Sequence, residues 1–365
     1  MRNLLSSPPR RRGWPRLAAA ALLLIATIAD SRADTAPDPV AIKEILEHTV
    51  SGYAQPVSAA FAQQAKELAT QTAATCRGGS APLEGLRSTF RDLAAGWGRL
   101  SVARFGPLVA DARLEKLAFW PDDRGAVRRQ TLQLAAALPA GDAEAIAWLG
   151  KQSAAAQGLP AFDFLAFAPD VERNCRMAVA VAGNIARLAE EVADGFKDDA
   201  HLALLTPGPD NPSYPNAGEA LAEVFRAMST QAEVVRTIMI LSPLGRTPDE
   251  AKPSHLFLRS ATATTVYLAG AVDGLDHMFA AMALDQTPAG RAAHLGVDAA
   301  RRELQTAREM VAALPADLAG AITDPAMRGK LTTAALALEG FNRAVNLQLA
   351  PAFGIRTGFN ALDGD

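Results

Sequence analysis

The sequence predicts an all-α protein built of two helical bundles packed across a cleft. Three observations carry that expectation. Apolar residues recur at three- and four-residue steps wherever a pattern is clear. Aromatic residues make up only 6% of the chain while alanine is very common, a balance that suits helix packing better than strands. No alternating pair of segments bounded by hairpin turns is visible.

In chain order, Asp38-Pro39 opens a helix carrying Ile42, Ile45, Leu46 and Val50, which Pro56 should kink or break. Leu83, Leu86, Phe90, Leu93, Trp97 and Leu100 form one face of the next. Helices are expected over 142–156 and 170–196. The Pro/Gly-rich stretch from Thr206 to Pro212 is the clearest long loop, and is taken as the boundary between bundles of residues 34–205 and 206–365. Beyond it, Leu221, Val224, Phe225, Met228, Val235, Ile238 and Met239 make a second stripe. Asn216 with Glu219 three residues on is its N-terminal capping pair, and Ser242-Pro243 with Gly245 stops it. Helices over 255–282, 298–313 and 324–349 complete the pattern.

The N-terminus has the grammar of a secretory signal spanning residues 1–33. Arg10, Arg11, Arg12 and Arg16 supply positive charge, Leu17 to Ala29 is apolar, and Ser31-Arg32-Ala33 is a small-x-small site. The apolar run is shorter than the roughly 20 residues a membrane span needs. Cleavage would leave an exported periplasmic or cell-envelope protein with no transmembrane anchor. In that oxidising compartment Cys76 and Cys175 read as a disulfide, with two buried free thiols as the alternative. The formal net charge of −3 argues against nucleic acid as a partner.

Serine-hydrolase elbows, phosphate loops, dinucleotide fingerprints and His-Glu-x-x-His are absent. The five histidines, His48, His201, His255, His277 and His294, are scattered. Asp273 and His277 share a helical face, but such pairs usually serve helix support. Glu190-Glu191 and Asp198-Asp199 fit general acid–base work by type, yet read more simply as solvated charge. Two irregular segments, Arg104-Phe105-Gly106-Pro107 and Phe119-Trp120-Pro121-Asp122-Asp123-Arg124, mix aromatic, proline, arginine and aspartate. They form either a pocket wall or a packed turn in which Asp122 caps a helix and Arg124 pairs locally.

Those two segments are followed in order by Gln157-Gly158-Leu159-Pro160-Ala161-Phe162-Asp163-Phe164-Leu165, Gly208-Pro209-Asp210-Asn211-Pro212 and the terminal Gly358-Phe359-Asn360-Ala361-Leu362-Asp363-Gly364-Asp365. In this order the landmarks resemble the imelysin family. The resemblance implies an all-helical fold of two bundle-like domains, a place in the cell envelope, and a link to iron. It also implies a hallmark Gly-x-His-x-x-Glu motif, in a family that includes a described metallopeptidase. Here the equivalent stretch runs from Gly158 to Asp163, with Pro160 in place of histidine and Asp163 in place of glutamate. Proline cannot ligate a metal, so a hydrolytic centre would need His255 or His277 as a substitute. The expected function is therefore a non-enzymatic envelope binding protein connected with iron or another divalent metal. The alternatives are a metal-dependent peptidase of the imelysin type and a structural or protein-interaction module. No catalytic residue is assigned. Arg104, Asp122, Arg124 and Asp163 are the expected ligand-binding residues, with Asn360 and Asp363 from the tail and Asp163 as the metal ligand. The arginines suit an anionic group and the carboxylates a hard cation. The partner is a small ligand, a metal ion or another envelope protein.

Overall fold

The computed structural model describes residues 38–77, 83–168, 174–197 and 203–355. The signal-like segment, Asp198-Asp199, His201 and the terminal octet with Asn360 and Asp363 lie outside them. The described residues are helical with no strand. The principal helices are α1 (Pro39–Thr49), α2 (Gln55–Cys76), α3 (Leu83–Leu100), α4 (Ala126–Ala135), α5 (Leu159–Phe167), α6 (Cys175–Lys197), α7 (Ala217–Glu233), α8 (Thr264–Ala281), α9 (His294–Ala312) and α10 (Pro325–Ala344).

Caps written in the sequence set several boundaries. Asp38 accepts from the Val40 N–H at the start of α1, Asn216 from Glu219 N–H at α7, and Asp324 from Ala326 and Met327 N–H at α10. Pro56 does not break its helix. Residues Val50–Ala54 widen into a π turn, so that the Gln55 N–H bonds Val50 O, five residues back, and the helix runs on through α2. The same arrangement recurs at Val234–Leu241 before Pro243 and at Val345–Leu349 before Pro351, where Ser242 N–H bonds Thr237 O and Ala350 N–H bonds Val345 O. A proline ring collides with the carbonyl four residues before it and brings no donor of its own. Widening the preceding turn removes that collision without ending the helix.

Packing runs from neighbour to neighbour: α6 on α2, α2 on α3, α3 on α8, α8 on α9, and α9 on α10, which lies against the Val234–Leu241 segment. Tyr53, Phe61, Phe90, Phe162, Phe225, Tyr267 and Phe341 are fully buried in the apolar core. The α3–α8 crossing is close because both helices present glycine. A Cβ on Gly270 would lie 2.2 Å from Ala95 O, and one on Gly98 would lie 2.5 Å from Tyr267 O. Cys76 at the end of α2 is bonded to Cys175 at the start of α6, with Cα atoms 5.4 Å apart.

Candidate functional site

A cavity of about 290 Å³ opens where three stretches of chain meet the α3–α8 crossing. The first is the exit of α3. Trp97 and Ser101 face the cavity, and the chain then turns sharply twice, with Arg104 N–H bonding Val102 O at 2.8 Å and Phe105 N–H bonding Ala103 O at 2.7 Å. Phe105 is buried edge-on against Phe196, at 5.7 Å between ring centres. This anchor leaves Arg104, one residue before it, on the cavity wall.

The second stretch is the short helix Arg113–Leu117 and the extended chain after it, supplying Leu114, Glu115, Phe119 and Trp120. Trp120 stands edge-on to Phe257, and Phe257 to Tyr267, with ring centres 5.4 Å and 4.7 Å apart. The third is α7 and the π segment beyond it, which contribute Gln231, Val234, Ile238 and Met239. Tyr267, from the first turn of α8, closes the site.

The polar atoms form one connected set. Arg104 Nη1 donates to Gln231 Oε1 at 2.9 Å. Gln231 Nε2 donates to Ser101 Oγ at 2.9 Å and lies 3.5 Å from the Tyr267 hydroxyl, and Ser101 Oγ donates to Gly98 O at 2.8 Å. Burial pushes the Arg104 guanidinium below its usual range and the Tyr267 phenol above its own. Arginine remains charged in proteins, so the cavity wall holds a cation partly withdrawn from water. Only one of its five N–H groups is taken by Gln231, and among the described residues it forms no ion pair.

The other sequence candidates have structural tasks. Asp122 caps α4, accepting from Ala126 N–H at 2.6 Å and Val127 N–H at 2.9 Å. Arg124 is exposed and does not line the cavity. Asp163 is only 6% exposed, and its two oxygens accept from Ser260 N–H at 3.2 Å and Ala261 N–H at 2.7 Å. Burial pushes its carboxyl up to about 6, against the opposing pull of those two N–H groups. Arg87 and Arg91 of α3 bond the carbonyls of Ser260 and Ala261 at 2.6 Å and 3.0 Å. Together they hold a loop in which Leu258 and Thr262 both adopt φ of 54°, and that loop feeds directly into α8 and Tyr267. Gly158 packs so tightly that a Cβ there would lie 2.1 Å from Leu117 O, at the end of the helix that carries Glu115. The stretch Gly158–Asp163 is thus scaffold beneath the cavity.

These donors do not fit a hydrolytic metal centre. Pro160 occupies the first turn of α5, both Asp163 oxygens face backbone donors, and among the described residues no group of three or more His, Cys, Asp or Glu could hold a metal. Asp273 is paired with Arg99 at 2.7 Å, and His277 stands edge-on to Tyr53, with ring centres 5.4 Å apart. His255 lies 3.9 Å from Asp123. Glu190 bonds Lys66 at 2.6 Å, and Glu191 bonds both Arg113 and Arg187, so neither is poised as an acid or base. A shallower depression of about 700 Å³ lies beside Arg113, but Asp111, Glu191 and the Pro107 carbonyl already occupy that guanidinium.

Gln231, Ser101, Glu115 and Tyr267 were not singled out by sequence. In the linear chain each is one polar residue on a helix or turn, and only the tertiary packing brings them together.

Comparison with known proteins bears on the fold and the family. The family model for imelysin, a peptidase family by name, matches residues 51–344. An imelysin-like protein from Psychrobacter arcticus superposes with a TM-score of 0.71 at 21% identity, covering 89% of this chain and 99% of that one. A candidate iron-regulated protein A precursor from Parabacteroides distasonis superposes at 0.58 with 14% identity, covering 88% and 97%. No curated protein matches in sequence. The family match spans most of the chain, and this protein belongs to the imelysin family.

Proposed function

We propose that this chain is an exported, non-catalytic member of its family that binds a small anionic ligand in the Arg104 cavity. The observation that carries the reading is the half-buried guanidinium, held by Gln231 and ion-paired with no carboxylate among the described residues. Burying a lone charge is costly unless a partner meets it, and a carboxylate can meet arginine through two parallel hydrogen bonds. A π segment forms one wall, a feature frequent at functional sites. The replacement of the hallmark histidine by Pro160 supports a binding role over hydrolysis.

Export is supported by the Cys76–Cys175 bridge, since disulfides persist in oxidising compartments, and by the signal-like N-terminus. No helix among the described residues is long and apolar enough to cross a membrane. The neighbour from Parabacteroides distasonis is named as iron-regulated. Carried to this chain, that name supports a protein whose production responds to iron, separate from what the cavity holds.

The test is titration of the mature protein with small carboxylates, followed by calorimetry. Saturable binding that Arg104→Met removes is the expected result. Binding undiminished in that variant, or no binding of any anion, would refute the reading.

A further inference from the structure

The cavity carries two charges of opposite sign. Arg104 lies on its inner wall, and Glu115, exposed to solvent, lines the same space from the short helix Arg113–Leu117. The two form no ion pair with each other, although Arg104 sits within the electrostatic reach of Glu115. Both therefore remain available to a molecule in the cavity. The surrounding surface is apolar and shaped by side chains of differing bulk, with Trp97, Trp120, Leu114, Ile238 and Met239 on facing walls. At about 290 Å³ and open on one side, the cavity has room for a small organic solute.

From this arrangement we infer that the ligand is a free apolar α-amino acid, bound by its carboxylate at Arg104, its ammonium towards Glu115 and its side chain among the aromatic and aliphatic walls. This rests on the anion-binding reading above and adds the second charge and the apolar body. Each alternative class meets an obstacle. A polyanion such as a tricarboxylate or phosphate would bring surplus negative charge beside Glu115. A simple amine would leave Arg104 unmatched and add a second positive charge beside it. A long-chain acid would extend beyond the cavity into solvent.

Leucine, its deaminated analogue 4-methylpentanoate, its decarboxylated analogue 3-methylbutylamine, and inorganic phosphate serve as probes. Binding is read by calorimetry and by tryptophan fluorescence, since Trp97 and Trp120 line the cavity. Leucine should bind more tightly than either truncated analogue, and phosphate should not compete. Arg104→Met should weaken leucine by about 10–100-fold, the scale of a lost charge-assisted contact. Glu115→Gln, at an exposed position that leaves the fold intact, should weaken leucine while leaving 4-methylpentanoate unchanged or tighter. If 4-methylpentanoate binds as well as leucine and Glu115→Gln changes neither, the amino-acid assignment is overturned and the anion site stands. If phosphate outcompetes leucine, the assignment is likewise overturned. If no probe binds and Arg104→Met changes nothing, both readings fall together.

Discussion

Gln231 accepts a hydrogen bond from Arg104 and donates one to Ser101, each at 2.9 Å, so one side-chain amide fixes the cavity's cation from across the interface between α7 and the exit of α3. The amide leaves Arg104 charged and unneutralised. A carboxylate in the same place would do the opposite. Gln231→Glu should form an internal ion pair with Arg104, turn the Ser101 hydroxyl from Gly98 O towards the new carboxylate, and weaken anion binding by more than about tenfold, while melting temperature changes little. Calorimetry beside thermal melting checks this. Unchanged binding would mean that Arg104 is not the anchor.

Asp163 gives the fold a pH dependence with a definite sign. Its folded pKa, about 6, lies above its ordinary value of 3.8. Between those values the native state keeps a proton that the unfolded chain has released. Stability from this group is therefore greatest below about pH 4 and declines as pH rises through 6, by on the order of 3 kcal/mol. Asp163→Asn should lack this decline. Denaturant melts of both proteins from pH 4 to 8 decide the matter, and parallel profiles would contradict it. Asp163→Ala should be destabilised most below about pH 4, by about 2–4 kcal/mol, because the Ser260 and Ala261 N–H groups lose their acceptor, and the deficit should shrink as pH rises through 6.

The Cys76–Cys175 bridge closes a segment with a sequence separation of 99. Opening it frees a long loop in the unfolded chain, and the expected loss is about 3–5 kcal/mol. Melting with and without reductant, alongside a Cys76→Ser/Cys175→Ser variant, measures it. A shift under 1 °C in both would show that the bridge contributes nothing.

Two glycine-to-alanine changes should have opposite signs. At Gly270 the new Cβ meets Ala95 O at 2.2 Å, so α3 and α8 must separate, at a cost of about 2–3 kcal/mol. At Gly329, inside α10, nothing lies within 4 Å of the new atom, and alanine should stabilise by roughly 0.5–1 kcal/mol. Equal effects at the two positions would undercut the close-crossing account.

The helical architecture was legible because it is local. The stripe from Leu221 to Met239, the Asn216 cap and the Asp324 start each depend on residues within one or two turns. Pro56 misled because the relief it needs lies in the shape of the preceding turn, which no residue type announces. Arg104 stood out by its setting, a charged residue in an aromatic and proline-rich segment. Its partners did not. Gln231 sits on the buried stripe of α7 and Tyr267 on that of α8, both far along the chain, and nothing near either marks it as polar wall in place of core. Asp163 was conspicuous through the motif it occupies, but its engagement with the 260–261 backbone depends on a contact across the whole protein.

The wide turns ahead of Pro243 also govern phase. Val234–Leu241 is about one residue longer than a regular α-helix needs to span the same rise. Removing one residue there would restore ordinary winding, and the turns beyond would keep their phase, because the wide turn is what absorbs the extra residue. Only residues inside the segment, Ile238 and Met239 among them, would change their places on the cavity wall. The composition of that wall is thus set by a count of residues as much as by their identity, and a relative with a single insertion or deletion here would display a different surface to its ligand on an otherwise identical frame.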